Sequence, residues 1–206
     1  MINLSNIGEI LLSEMINRSH AVQELLTQSI SFISLTEKEF IAVPEAQLNR
    51  FEKYGFDGAH KLDVALLFGN TRKCLGLEAK LGIERLNRRE FDKRFLMECG
   101  TSHGKSRISG SIIAILEGKL PNRRESSRII VKHQQTEYEL LPTWILVVRN
   151  RILNDWSRLG RPSLSDHCHI LPFEKIVGNF GGRDLFNSLV REILEGDYYR
   201  EWIEGI

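Results

Sequence analysis

Three charged residues interrupt two otherwise apolar stretches in the first half of the chain. Asp63 lies in the stretch Leu62–Phe68, and Glu78 and Lys80 lie in the stretch Cys74–Leu81. A charge inside an apolar strand is costly unless it is paired or bound to a metal ion. Two carboxylates and an amine are also the groups that hold a hard divalent cation and assist the attack of water on a phosphodiester.

The two stretches predict a β-hairpin that would position these residues. Both are strand-length apolar runs, and Gly69–Arg72 between them has turn composition. A two-residue turn and a four-residue turn give the same register, which places Asp63 opposite Glu78. Opposed residues share a face, with Cβ atoms roughly 4.5–5.5 Å apart, and Lys80 falls on that face because it follows Glu78 by two residues. A three- or five-residue turn would break this register.

The predicted pairing brings two carboxylates close enough to repel each other unless a cation or a shared proton lies between them. Mg²⁺ (or Mn²⁺) suits that position because it takes oxygen ligands and retains waters for a substrate phosphate. We therefore expect Asp63 and Glu78 to bind the metal ion. Lys80 is then expected to orient or activate the attacking water and to balance the charge that develops on the phosphate.

Asp63, fourteen intervening residues and then Glu78-Ala79-Lys80 resemble the D…(D/E)-x-K signature of the PD-(D/E)xK nuclease superfamily. Leu62 stands where the proline of that signature would be. The resemblance covers the order of elements over residues 7–150 and, in sequence, the hairpin alone. It implies a restriction endonuclease-like three-layer α/β/α core with a central mixed β-sheet flanked by helices, in which Asp63 and Glu78 are metal ligands and Lys80 is the catalytic lysine.

The resemblance also implies a function and a further ligand. An additional acidic residue from an earlier element often joins such a site; Glu45 is the candidate, with Glu14 and Glu24 as weaker ones. The implied activity is that of a metal-dependent DNA endonuclease or related nuclease. The alternative is a catalytically inactive module with this fold that binds nucleic acid or a protein partner, such as a defence or immunity accessory. Double-strand cleavage by one small active site would favour a homodimer.

The charge distribution favours DNA as the partner, although the formal net charge is only +1. Residues 1–79 carry 7 Lys/Arg against 10 Asp/Glu (net −3), residues 80–128 carry 12 against 6 (net +6), and residues 129–206 carry 9 against 11 (net −2). A basic segment beside an acidic cluster fits a phosphate backbone meeting a metal site; the alternative is a solvated, Arg-rich helix face. The expected contacts to nucleic acid are Arg85, Arg88, Arg89, Lys93, Lys105 and Arg107.

The rest of the chain predicts a single α/β domain over residues 1–206 with a mixed sheet. We found no repeat and no linker. Periodicity and turn composition predict, in order, a helix over 7–30, a strand Phe40–Val43 curtailed by Pro44, an undecided strand or helix over 45–53, a basic helix over 83–98, a helix over 106–117, a polar loop over 121–127, a strand pair of which Thr143–Val148 is the clearer member, a strand over 167–173 and a helix Arg183–Leu194.

Several other classes of protein are excluded by the sequence. The three cysteines show no C-x-x-C spacing, which argues against a disulfide scaffold and a zinc ribbon. No apolar run approaches the roughly 18–20 residues of a membrane span, and the N-terminus lacks a secretion signal, so a cytoplasmic protein without membrane contact is expected. Gly104-Lys105-Ser106 resembles the end of a P-loop, but Cys99 stands where its first glycine is required, so no nucleotide cofactor is expected.

Overall fold

The computed structural model describes residues 4–30, 38–47, 61–82, 84–87, 129–160 and 168–195. The helices in these ranges are α1 (Leu4–Arg18), α2 (His20–Ser29), α3 (Asn150–Arg158), α4 (Phe173–Phe180) and α5 (Arg183–Glu195). The strands are β1 (Ile41–Gln47), β2 (Lys61–Phe68), β3 (Lys73–Ala79), β4 (Ile130–His133), β5 (Thr136–Val148) and β6 (Cys168–Pro172). The fold is mixed α/β, as expected. Within the described ranges, no helix is long and apolar enough to cross a membrane.

The strands form one mixed sheet in the order β1-β2-β3-β5-β4, with β6 also paired to β5. β2 is antiparallel to both of its neighbours, β1 and β3, whereas β5 runs parallel to β3. Two further strands pair with the other edge of the long β5. β4 pairs antiparallel with its first residues and β6 pairs parallel with its last. β1 and β4 lie at opposite ends of this order and still contact each other, because the sheet curls.

Alternation along the strands gives the sheet two apolar faces. On the helical face, α1, α2, α4 and α5 pack over side chains that include Val64 and Leu75. On the inner face of the curl, a second cluster is formed by side chains that include Ala65 and Trp144. α3 covers the end of this inner face through Ile152, which packs against the last residues of β5 and the first of β6. The sheet therefore has helices on both sides.

The N-terminal helix predicted over residues 7–30 is in fact two helices. They break at Ser19, which has extended backbone angles, and its hydroxyl accepts a hydrogen bond from Val22 N at 3.3 Å. This is the arrangement of a helix N-cap. Because apolar residues continue at helical spacing through the break, the periodicity alone predicted one helix.

Pro44 does not curtail β1, which continues to Gln47. Pro44 pairs with Val64 of β2, and β1 lies at the end of the described strand order, where a missing N–H is tolerated. Asn17 of α1 occupies the other edge of β1. Its side-chain amide donates to Ala42 O and accepts from Ala42 N, both at 2.8 Å.

The later elements agree with the sequence in part. The strand predicted over Thr143–Val148 is the end of the longer β5, β6 lies within the predicted 167–173, and α5 matches the predicted closing helix. α3 and α4 were not predicted. Residues 84–87 are not helical, so the helix predicted over 83–98 is wrong at its start. Four other predicted stretches lie outside the described residues: residues 48–53, the rest of the helix predicted over 83–98, the helix over 106–117 and the loop over 121–127.

Two of the three cysteines lie in the described ranges. Cys74 is buried on the inner face with a free thiol, whose pKa is raised by that burial. Cys168, at the start of β6, is disulfide-bonded. A single crosslink differs from the scaffold of several bridges that the cysteine spacing argued against.

Candidate active site

The hairpin of β2 and β3 has the register predicted from the sequence. Its turn has four residues, Gly69–Arg72, and its ladder runs from the pair Phe68–Lys73 to the pair Val64–Leu77. The next position along this ladder places Asp63 beside Glu78. The even-numbered turn, on which the prediction depended, is confirmed.

The side chains of Asp63, Glu78 and Lys80 meet on one side of the sheet. Lys80 Nζ lies 3.2 Å from Glu78 Oε2 and 3.8 Å from Asp63 Oδ2. The three side chains are only 20%, 16% and 22% exposed for Lys80, Glu78 and Asp63, respectively. One ammonium group therefore bridges two carboxylates in a partly desolvated position, where charges interact more strongly than in water.

The backbone of β3 fixes Asp63 from the neighbouring strand. Ala79 N donates a 2.8 Å hydrogen bond to Asp63 Oδ2. This N–H follows Val64–Leu77, the last strand pair before the site. The carboxylate of Asp63 thus replaces a backbone acceptor at the end of the ladder, which holds the side chain in place.

Alternation along β3 turns Glu78 toward the inner face. Leu75 and Leu77 pack in the helical-face cluster, whereas Cys74 packs in the inner-face cluster. Gly76 belongs to the inner face as well, because a Cβ on it would collide with the ring of Trp144. Glu78 follows Gly76 by two residues and so lies just beyond the point where the Trp144 ring covers β3.

The site lies where the parallel strands β3 and β5 end. Glu78 pairs with Leu146, and Lys80 N donates to Val147 O at 2.8 Å. Leu146 packs under α3 together with Ile152. The three charged residues are therefore bordered by apolar packing on the inner face of the curl on one side and by α3 on the other.

The donor set fits a hard divalent ion. Asp63 and Glu78 supply carboxylate oxygens, which are the ligands that Mg²⁺ prefers, and Mg²⁺ is commonly held by one or two carboxylates with waters and substrate phosphate completing its shell. The two carboxylates and Lys80 together leave a net charge of −1. A small cation is therefore favoured electrostatically between the two acids, even with the lysine present.

Glu45 stands in the same row of the sheet as the cluster. The pairs Pro44–Val64 and Ala46–Leu62 leave Glu45 beside Asp63 between β1 and β2. Glu45 has a φ of 48°, which side chains rarely adopt, and this breaks the alternation of β1. No group of three or more His, Cys, Asp or Glu suited to a metal ion occurs within the described ranges. A ligand role for Glu45 stays a prediction.

The two weaker acidic candidates lie elsewhere. Glu14 pairs with Arg18 at 2.7 Å, and Glu24 lies 3.6 Å from His20 on α2. α1 and α2 cover the helical face, whereas the site opens on the inner face. Glu24 also lines a cavity of about 860 Å³ at the turn end of the hairpin, whose described lining includes none of the three charged residues of the site.

Arg85 is the one predicted nucleic-acid contact within the described ranges. It is exposed on the non-helical segment 84–87, which follows the site along the chain. Leu86 N donates to Asp155 Oδ2 of α3 at 2.9 Å, and the Leu86 side chain is buried under α3. The other predicted contacts, Arg88, Arg89, Lys93, Lys105 and Arg107, lie outside the described residues.

Two features beside the site were missed from the sequence. Asp155 holds segment 84–87 against α3, and α3 itself carries arginines on its exposed side. Both depend on α3, which was not predicted even though Ile152, Leu153, Trp156 and Leu159 recur at helical spacing and pack in one cluster. The signal that would have revealed its basic side is the spacing of Arg151 and Arg158, seven residues apart on one helix face.

Comparisons of the chain with protein-family models, with curated proteins and with solved structures found no match. The assignment of a function therefore depends on the geometry of the site and on the resemblance of the hairpin signature.

Proposed function

We propose that the protein is a metal-dependent nuclease of the restriction endonuclease-like type, which hydrolyses a DNA phosphodiester by attack of water. The observation that carries the proposal is the position of Lys80 Nζ within 4 Å of the carboxylates of both Asp63 and Glu78 on one face of a hairpin. Two acids and a lysine gathered in this way support the resemblance of the hairpin to the D…(D/E)-x-K signature.

Each of the three residues has a separate task in this proposal. Asp63 and Glu78 would hold Mg²⁺ or Mn²⁺. When bound, this ion supplies positive charge against the scissile phosphate and lowers the pKa of a coordinated water. Lys80 donates hydrogen bonds toward the attacking water and the phosphate oxygens, and its positive charge offsets the negative charge that grows in the transition state.

The surroundings of the site support this chemistry. The hydrogen bond from Ala79 N keeps Asp63 in one orientation, so little reorganisation is needed during the reaction. The three side chains are about four-fifths covered, and partial exclusion of water strengthens the interaction of Lys80 with an anionic phosphate. About one-fifth of each side chain remains accessible to solvent.

The fold supports the same proposal at a coarser level. α1 precedes the strands β1, β2 and β3, and β5 then runs parallel to β3, which is the element order that the resemblance implies. Helices lie on both faces of the sheet, in keeping with a three-layer α/β/α core. Cleavage of both strands of a duplex by one small active site would favour two copies of the chain, so a homodimer belongs to the proposal.

The test is cleavage of supercoiled plasmid, linear duplex and branched DNA in millimolar Mg²⁺ or Mn²⁺. The variants Asp63→Ala and Lys80→Ala are each expected to lower the rate by about 10²–10³-fold or more. Lys132→Ala is the matched control, because Lys132 is 68% exposed and pairs with Glu137 on the β4–β5 hairpin. Cleavage that survives both site substitutions, or that a chelator leaves unchanged, would refute the proposal.

A second candidate function has its own support in the ion cluster. Lys80 already neutralises part of the charge of Asp63 and Glu78, so the trio is compatible with a purely structural role. A nuclease-fold module that binds nucleic acid or a protein without catalysis would keep such a trio for stability. Binding of DNA by the wild type without cleavage of any of the three substrates would favour this alternative.

A further inference from the structure

The exposed side of α3 is a basic surface beside the candidate active site. Arg151 and Arg158 are both exposed and lie seven residues apart, which is close to two helical turns. Between them, one turn from each, lies Asp155, whose side chain is only 16% exposed and accepts the hydrogen bond from Leu86 N. Asp155 therefore lies on the same side of α3 as the two arginines and faces segment 84–87, while both guanidinium groups stay exposed.

Segment 84–87 brings a third arginine to the same place. Because Leu86 is anchored on Asp155, the segment runs along the side of α3 that carries Arg151 and Arg158. Arg85 precedes Leu86 and is exposed. We propose that Arg85, Arg151 and Arg158 form a strip that binds the phosphate backbone of DNA next to the active site. This inference deepens the proposed nuclease function and rests on it for the choice of DNA as the ligand.

The charges of these arginines remain available to a ligand. Arg158 lies 3.5 Å from Asp155 Oδ1, a long contact for a guanidinium that is 80% exposed. Within the described part of the chain, no ion pair involves Arg85 or Arg151. Exposed arginines without strong internal partners favour phosphate groups, which they bind through two parallel N–H donors.

The terminus of α3 does not carry the binding. Asn150 N, at the start of α3, donates to Glu174 Oε2 of α4 at 2.8 Å, so an acid of the protein already occupies this end of the helix. The proposed strip therefore depends on side chains along α3. An anion held at the N-terminus of the helix would meet the carboxylate of Glu174.

The strip is within reach of a strand that enters the active site. Arg85 follows Lys80 by five residues, so the two Cα atoms lie at most about 18 Å apart. One turn of B-form DNA is roughly 34 Å long. A duplex whose phosphate lies at Lys80 therefore presents neighbouring phosphates to Arg85 and α3 within the same turn. The strip would hold the backbone in register while the three charged residues of the site act on one phosphodiester.

The experiment measures equilibrium binding of the full chain to a fluorescent duplex of about two helical turns. EDTA is present throughout, so that cleavage does not occur, and KCl is varied between about 50 and 200 mM. The variants are Arg151→Gln/Arg158→Gln and Arg85→Gln. The matched control is Arg183→Gln/Arg191→Gln, because these two arginines are exposed on α5, which packs on the helical face. Urea unfolding checks that each variant is folded.

The expected result is a loss of affinity of about tenfold for each arginine removed from the strip. The slope of log K against log salt should become shallower by roughly 0.9 for each lost phosphate contact, and the α5 control should match the wild type in both. Unchanged affinity and slope in the α3 variant, an equal loss in the α5 control, or no binding of duplex by the wild type would each overturn the proposal.

A competition arm separates DNA from an acidic polypeptide. Polyglutamate at equal charge should displace the duplex much less effectively than unlabelled duplex does, because a flexible polypeptide does not hold its charges at the fixed spacing of a duplex backbone. Equal displacement would reject the DNA assignment. Since binding is measured without divalent metal, a chain that binds DNA through the strip but never cleaves it would contradict the nuclease proposal alone, and a cleaving enzyme unaffected by the strip variants would contradict the strip alone.

Discussion

The backbone N–H of Ala79 on β3 donates a 2.8 Å hydrogen bond to Oδ2 of Asp63 on β2. This contact gives Asp63 two distinct roles, because the same carboxylate oxygen is 3.8 Å from Lys80 Nζ. One role satisfies a backbone donor at the end of the strand ladder. The other belongs to the charge cluster that we propose as catalytic. Substitutions that remove the charge and keep the acceptor separate the two.

We expect Asp63→Asn to remove cleavage and to keep most of the stability, because an amide oxygen can still accept from Ala79 N. Asp63→Ala should remove cleavage as well and lower the free energy of unfolding by about 1–2 kcal/mol more than the asparagine variant, since it leaves a part-buried N–H without its partner. Urea denaturation and plasmid cleavage measure the two effects. Equal stability of the two variants would show that this hydrogen bond contributes little.

Lys80→Met tests whether the carboxylate pair binds divalent metal, independently of catalysis. The substitution keeps the aliphatic length and leaves Asp63 and Glu78 to repel each other. In the absence of divalent ions we expect the free energy of unfolding to fall by about 1–2 kcal/mol. This is less than the cost of breaking a fully buried ion pair, because the group is partly exposed. Millimolar Mg²⁺ should then raise the melting temperature more in the variant than in the wild type.

The control for this measurement is Lys132→Met, which removes one partner of the exposed pair with Glu137. Mg²⁺ should shift its melting temperature by the same amount as it shifts that of the wild type. An identical Mg²⁺ response in both lysine variants would exclude the carboxylate pair as a specific metal site.

The hairpin that carries the site was predictable because its information is local. Turn residues between two apolar runs fix where the chain reverses, and period-two alternation then fixes which side chains share a face. The position of Asp63 beside Glu78 on one face follows from these two facts alone. The hydrogen bond from Ala79 N to Asp63 was not predictable, because it depends on where the β2–β3 ladder ends.

Other features escaped prediction because tertiary contacts determine them. Leu86 looked like part of a basic helix, yet its N–H is satisfied by Asp155, some seventy residues later in the chain. The continuation of β1 past Pro44 depends on its edge position in the sheet, which no local pattern encodes. The break in alternation at Glu45 comes from its positive φ angle, which a glutamate in the sequence does not predict.

Gly76→Ala should destabilise the protein by about 1–3 kcal/mol, because the added methyl group would overlap the Trp144 ring. A smaller partner, Trp144→Leu, should make the alanine less harmful, so the double variant is expected to be more stable than the sum of the single effects predicts. Urea unfolding of the four proteins gives this coupling. Gly178→Ala in α4 is the control, since its Cβ would meet nothing within 4 Å and alanine favours a helix.

Additive effects of Gly76→Ala and Trp144→Leu would mean that the ring moves away at little cost. The Trp144 ring would then not be the element that defines the inner face beside Glu78. A coupling of about 1 kcal/mol or more would instead show that the placement of Glu78 depends on the close packing of Gly76 against the Trp144 ring.

Asn17→Ala should lower the free energy of unfolding by about 1–2 kcal/mol, although the residue is exposed. Its side-chain amide makes two 2.8 Å hydrogen bonds with the backbone of Ala42, one as donor and one as acceptor. In this way α1 closes the outer edge of β1, where unpaired backbone groups would otherwise invite pairing with another chain. Asn179→Ala is the control, because its amide donates to Lys175 O one turn back in the same helix, α4. Faster hydrogen exchange at Ala42 N in the Asn17 variant, with no change in the Asn179 variant, is the expected signature, and unchanged exchange at Ala42 would contradict the edge-closing role.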